Sequence, residues 1–218
     1  MPTHVSQPPI RDSLGEAATV LVESSSTDPD RAAVCTDLLH CHPTDRENLL
    51  WVTYTRGPDE KLSSWRRHAD ATPANLGVVS VGDTMRSAAA ASAAVGGPEA
   101  SGSADTSGSG PPNPVEAVEN PSDLTGLGIT VSRYFEAWGP AHPTSLCFDS
   151  ITAMLQYVEF ETAYRFLHVL TGRVATAGAV GHFHVDPAAH DDQTMESLKT
   201  LFDAVVSLDD DGRVVRTR

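Results

Sequence analysis

The sequence predicts an α/β fold: a three-layer sandwich with a mainly parallel sheet, helices on both faces and a C-terminal hairpin. Three observations lead there. Short aliphatic and β-branched runs alternate along the chain with stretches of helical period. The runs are apolar on consecutive positions, the pattern of strands buried on both faces. Near the C-terminus two such runs flank Asp210-Asp211-Gly212, a hairpin turn sequence.

Each element follows in order. Ala18 to Val22 reads as a strand, and Arg31 to Leu39 as a helix started by Asp28 at the N-cap and Pro29 in the first turn. Asn48 to Tyr54 is a second strand, Asp59 to His68 a helix after the Gly57-Pro58 turn, and Leu76 to Val81 a third strand. Asp123 to Trp138 follows as a helix, with Ser122 the expected cap and Gly126 and Gly128 weakening its start. Ser145 to Asp149 is a strand ending in a carboxylate. Tyr157, Phe160, Tyr164, Leu167 and Thr171 share one face of a long helix, widened by Val158, Phe166 and Leu170. Ala179 to Val185 is a strand, His190 to Leu201 a helix, and Ala204 to Leu208 with Arg213 to Arg216 the hairpin.

From Ser87 to Pro114 every residue but Val95, Glu99, Asp105, Thr106 and Asn113 is Ala, Ser, Gly or Pro. Such a segment buries too little surface to offset the entropy of ordering it. The expected organisation is a flexible tail over 1–13 and a single domain over 14–218, interrupted by a disordered insertion at about 84–119.

The formal charge of the 218 residues is -14, and Lys61 and Lys199 are the only lysines beside a large excess of Asp and Glu. That balance disfavours a phosphate backbone as partner, so no nucleic acid is expected. Carboxylate-rich, lysine-poor surfaces suit a halophile cytoplasm, where salt screens their repulsion. No apolar run reaches the length of a membrane span, and Met1 to Pro9 lacks the basic and apolar regions of a secretory signal. A cytoplasmic protein is therefore expected. Cys35, Cys41 and Cys147 show no CxxC spacing, so neither a disulfide framework nor a zinc knuckle follows.

The run Leu146-Cys147-Phe148-Asp149-Ser150-Ile151-Thr152 resembles the Walker B strand and following segment of RecA/KaiC-like ATPases. Tyr157 to Asp186 resembles haloarchaeal proteins of that fold. The resemblance implies a RecA-like sheet over about 160 residues, with ATP and magnesium as the ligands of its catalytic members. Those members carry GxxxxGK[ST] after the first strand, where glycine N–H groups and Lys hold phosphate. Here the aligned loop is Ser24-Ser25-Ser26-Thr27-Asp28-Pro29-Asp30-Arg31, which departs at all four diagnostic positions. Pro29 removes a donor, and Asp28 and Asp30 put carboxylates at the positive helix end.

The resemblance therefore implies a degenerate nucleotide site over Ser24, Ser25, Ser26, Thr27, Asp30, Arg31 and Asp149. The expectation is a pseudo-ATPase with no cofactor, acting in regulation or signalling through protein partners or self-association. One alternative is an ATPase with an altered loop, in which Arg31 replaces Lys and Asp149 holds magnesium. The period of a strand puts His182 and His184 on one side, so a metal-dependent hydrolase built on His182, His184 and His190 is the second alternative. Ser150 lacks a GxSxG elbow and Cys147 lies in a buried strand, so neither points to nucleophilic catalysis. Leu62 and Trp65 fit packing on the sheet, and Tyr134, Phe135 and Trp138 a buried helix stripe.

Overall fold

The computed structural model describes residues 10–28, 30–39, 46–68, 73–82, 114–209 and 212–217. Eight strands form one sheet: β1 Thr19–Glu23, β2 Asn48–Thr53, β3 Asn75–Val81, β4 Val115–Val118, β5 Thr144–Asp149, β6 Val180–Val185, β7 Ala204–Asp209 and β8 Gly212–Thr217. The helices are α1 Ile10–Leu14, α2 Arg31–Leu39, α3 Pro58–His68, α4 Leu124–Trp138, α5 Ile151–Met154, α6 Phe160–Thr176 and α7 Asp192–Lys199. The strand order is β4-β3-β2-β5-β6-β1-β7-β8, parallel throughout except for the antiparallel β7–β8 hairpin. This is the three-layer architecture the alternation predicts.

Side-chain period two divides the sheet into two unlike faces. Leu21, Leu50, Val52, Val79, Leu146, Phe148, Phe183 and Val185 face α4 to α7 in one continuous apolar core. On the opposite face the core is split. Leu49, Trp51 and Val78 pack with Leu39, Leu62 and Trp65 in one cluster. Val20, Val22, Ala204 and Val206 pack with Ile10, Leu14, Val34 and Leu38 in another. Helix α2 straddles the gap between them.

Several boundaries move. Part of the stretch expected as a tail is helical: Ile10 and Leu14 lie one helical turn apart and both are buried, and the Ile10 N–H donates to Asp37 Oδ2 at 2.9 Å, while residues 1–9 lie outside the described residues. Within the stretch expected as an insertion, Val115–Val118 is a strand in register with Val78–Val81. The rest of that stretch, from residue 83 to residue 113, lies outside the described residues. Asp123 caps α4 in place of Ser122, its Oδ1 accepting from Gly126 N–H at 2.8 Å. A Cβ at 126 would stand 2.3 Å from Asp123 Oδ2, so a larger residue there needs the carboxylate to turn.

The long helix begins at Phe160, and its buried positions are Ala163, Leu167, Leu170, Thr171 and Val174. Tyr157 precedes it and is exposed. Trp65, Leu62 and Tyr134 are buried as expected, whereas Phe135 and Trp138 are only partly so. Among the described residues, no helix is long and apolar enough to cross a membrane.

Gly77 on β3 leaves room for the Tyr134 ring, since a Cβ there would meet Tyr134 Cε1 at 2.6 Å. Tyr134 is buried edge-on to Trp138 and has nowhere to retreat. Gly77→Ala is expected to cost about 1–3 kcal/mol in chemical denaturation, with part recovered by a second change, Tyr134→Leu. An unchanged midpoint in the single variant would show that the ring yields freely.

Candidate functional site

Strand β6 lies between β1 and β5, and its two histidines point to the split face. His182 pairs in register with Cys147 of β5 and Val20 of β1, and His184 with Val22. Asp149, two residues after Cys147, ends β5 on the same face. Helix α2 crosses above, supplying Arg31 and, one turn on, Cys35. Helix α3 supplies Lys61. These seven side chains form the polar seam between the two apolar clusters.

At one end of the seam Asp149 accepts from both cations, Arg31 Nη2 on Oδ1 and Lys61 Nζ on Oδ2. The side chains are 5% exposed for Asp149, 14% for Arg31 and 12% for Lys61, so solvent screens the triad little. Burial alone would raise the Asp149 pKa, but the charges of Lys61, His184 and Arg31 bring it down from 3.8 to about 2. Burial opposes charge on Lys61 as well. The nearby Cys147 and Asp149 outweigh it and hold the ammonium well above its ordinary pKa.

The other end is a compact sulfur and imidazole cluster. Cys35 Sγ stands 3.4 Å from Cys147 Sγ and 3.3 Å from His182 Nε2. The rings of His182 and His184 meet edge to face at 5.2 Å between centroids. One ligand atom from each of Cys35, Cys147, His182 and His184 lies within 4.8 Å of the others. The hydrogen bond with Cys147 lowers the Cys35 pKa against the effect of burial, with His182 adding to it. Burial raises that of Cys147 and lowers that of His184, whose Nδ1 is buried without a hydrogen-bond partner. A cleft of about 220 Å³ between α2 and α3 reaches Arg31, Cys35, Lys61 and Asp149 past Trp51 and Trp65.

The loop from β1 to α2 spends six N–H donors on the chain itself. Ser24 donates to Val185 O at 3.0 Å, Asp28 to Ser25 O at 3.2 Å and Arg31 to Asp28 O at 3.3 Å. Ser26 donates to Asp186 Oδ2 at 3.1 Å, Asp30 to Asp28 Oδ1 at 2.8 Å and Thr27 to Ser25 Oγ at 3.3 Å. Two carboxylates thus take donors at the entrance to α2.

A family model described as "Family of unknown function (DUF7504)" matches residues 17–208. The chain belongs to that family. Three solved structures share the fold of this DUF7504 chain. PH0321 from Pyrococcus horikoshii, solved in complex with an unknown peptide, is 12% identical with a TM-score of 0.57, covering 93% of this chain and 83% of its own. PH0250 from the same organism is 12% identical, TM-score 0.54, covering 92% and 86%. The flagellar accessory protein FlaH from Methanocaldococcus jannaschii is 11% identical, TM-score 0.52, covering 93% and 77%. The DUF7504 chain therefore has the RecA/KaiC-like α/β fold. No curated protein sequence matches it.

Of the residues singled out in the sequence, Arg31 and Asp149 meet directly, while Ser25, Ser26, Thr27 and Asp30 stay in the loop and Ser24 is buried beneath it. Asp149 serves as an ion-pair anchor. His182 and His184 join Cys35 and Cys147, whereas His190 bonds Thr152 Oγ1 at 3.0 Å. Lys61 joins the site although the sequence assigned it no role there, and Cys35 and Cys147, whose spacing suggests no zinc knuckle, meet across the fold.

Asp149→Asn leaves Arg31 and Lys61 buried without their anion and is expected to cost about 3–5 kcal/mol of unfolding free energy. Because the folded Asp149 titrates near pH 2, below its ordinary 3.8, its contribution is complete above pH 4 and fades as pH falls from there to 2. Wild type should lose about 2 kcal/mol more than the Asn variant across that window, measured by denaturation at each pH. Parallel acid curves would refute the ion triad.

Proposed function

We propose that this RecA/KaiC-like domain is a pseudo-ATPase, retaining the fold and acting through protein partners or self-association in regulation or signalling. The observation that carries the reading is the double ion pair on Asp149. The carboxylate that the resemblance assigns to magnesium is already neutralised by Arg31 and Lys61.

The loop supports it from the other side. A polyphosphate needs free N–H groups and a net positive field at the helix entrance. Here six donors are engaged internally, two of them by the carboxylates of Asp28 and Asp186. Releasing Asp149 for a cation would strand two buried positive groups, and bringing phosphate to the loop would set it against Asp28, Asp30 and Asp186. Magnesium and ATP do not fit the residues present.

A role by association has its own support in exposed apolar side chains. Ile129 on α4 and Val169 on α6 are each more than half exposed, on helices that pack against each other. The acidic, lysine-poor composition fits a high-salt cytoplasm as the working medium.

Titration of the purified chain with ATP and magnesium in molar KCl, followed by calorimetry and by melting temperature, is expected to give neither heat nor a shift. Micromolar binding, or hydrolysis abolished by Asp149→Ala, would overturn the reading and favour the altered-loop ATPase. Light scattering of Ile129→Glu and Val169→Glu beside wild type checks the association surface, with a smaller assembly expected from either variant if the chain self-associates.

A further inference from the structure

We propose that Cys35, Cys147, His182 and His184 form a buried zinc site that fastens helix α2 to strands β5 and β6. This site is independent of the reading of the nucleotide loop.

The donor set carries the inference. Two thiolates and two neutral imidazoles are the ligands of closed, tetrahedral, structural zinc, and an S₂N₂ set excludes hard oxygen-seeking cations such as magnesium and calcium. The geometry is compact enough. Zinc bonds of about 2.3 Å to sulfur and 2.0–2.1 Å to nitrogen imply roughly 3.8 Å between the sulfurs and 3.4–3.6 Å for the other pairs. The 3.4 Å between sulfurs and 3.3 Å from Cys35 to His182 lie a few tenths of an ångström inside those spacings. All four donor atoms stay within 4.8 Å of one another, so small side-chain shifts complete the tetrahedron.

The surroundings point the same way. His182 and His184 are 1% exposed and Cys147 is fully buried, yet His184 leaves Nδ1 without a partner. A buried imidazole nitrogen left unpaired costs free energy, and zinc bound through either nitrogen fixes which one carries the proton. Binding converts two thiols to thiolates and releases two protons. The resulting complex, Zn²⁺ with two thiolates and two neutral histidines, carries no net charge, which suits a buried place beside the Asp149 triad. The ligands sit on one helix and two adjacent strands, so the fold holds them in place before any ion arrives. Cys35 borders the cleft between α2 and α3, which gives an ion a way in.

The test uses the full chain, purified reduced, stripped by chelator and titrated with zinc against a chromophoric competitor, with cobalt as a spectroscopic probe. One ion per chain is expected. Cobalt should give intense tetrahedral d–d bands and a thiolate-to-cobalt charge-transfer band in the near ultraviolet. Cys35→Ser and Cys147→Ser should each remove about half of the charge-transfer intensity, in line with two sulfur ligands. Each should also weaken zinc binding by more than the roughly 10- to 100-fold that loss of an outer-shell partner causes. His190→Ala should bind as wild type does.

Failure of the reduced chain to take up either metal stoichiometrically overturns the site, including the case in which Cys35 and Cys147 are isolated as a disulfide. Binding that survives both cysteine changes, or that is lost with His190, overturns it as well. Should Cys147→Ser fail to fold, Cys35→Ser decides, since Cys35 is only half-buried on a helix and the cobalt spectrum of wild type stands by itself.

Discussion

A single buried carboxylate organises half of this molecule. Asp149 ends the strand at the middle of the sheet, and burial there is tolerable only because two cations come to it from two helices. Helix α2 contributes Val34 and Leu38 to one apolar cluster and Leu39 to the other. Without the polar groups between, those clusters would be one core. The ion triad therefore joins on this face what continuous apolar contact joins on the other.

The two faces differ in kind as a result. Under α4 to α7, packing is apolar, non-directional and tolerant of small repacking. Under α2 and α3, two smaller apolar clusters are joined by hydrogen-bonded polar groups, whose geometry is exacting and whose loss leaves buried partners unpaired. The arrangement also ties architecture to function. On the proposed reading, the groups that hold Asp149 are the ones a nucleotide and its cation would need, so opening the site for phosphate would loosen the face that carries it.

The fold was legible in the sequence because doubly buried parallel strands leave unbroken apolar runs, and helices between them keep the 3.6-residue period. Edges were less so: β4 has four residues, Val115 to Val118, at the end of a low-complexity stretch, and its identity depends on pairing with β3. The site was half legible. Arg31 and Asp149 stood out through the family pattern, and His182 with His184 through the period of a strand. Their true partners are distant. Lys61 reaches Asp149 across 88 residues and Cys35 reaches Cys147 across 112, distances set by strand order. Proximity along the chain misled in the case of His190, which the turn at Pro187–Ala189 carries to Thr152. One signal for Lys61 was present: in a chain that nearly dispenses with lysine, each one kept invites the question of what it holds.

That scarcity has a consequence for amine chemistry. Lys61 is bound to Asp149, and Lys199 bridges Glu23 and Glu196. Acylation, reductive methylation or aldehyde crosslinking of side-chain amines has only these two targets. An acylated Lys61 would carry no charge and could no longer hold its half of the carboxylate, so acylation at that position would be a structural event at the α3 contact rather than a decoration of its surface.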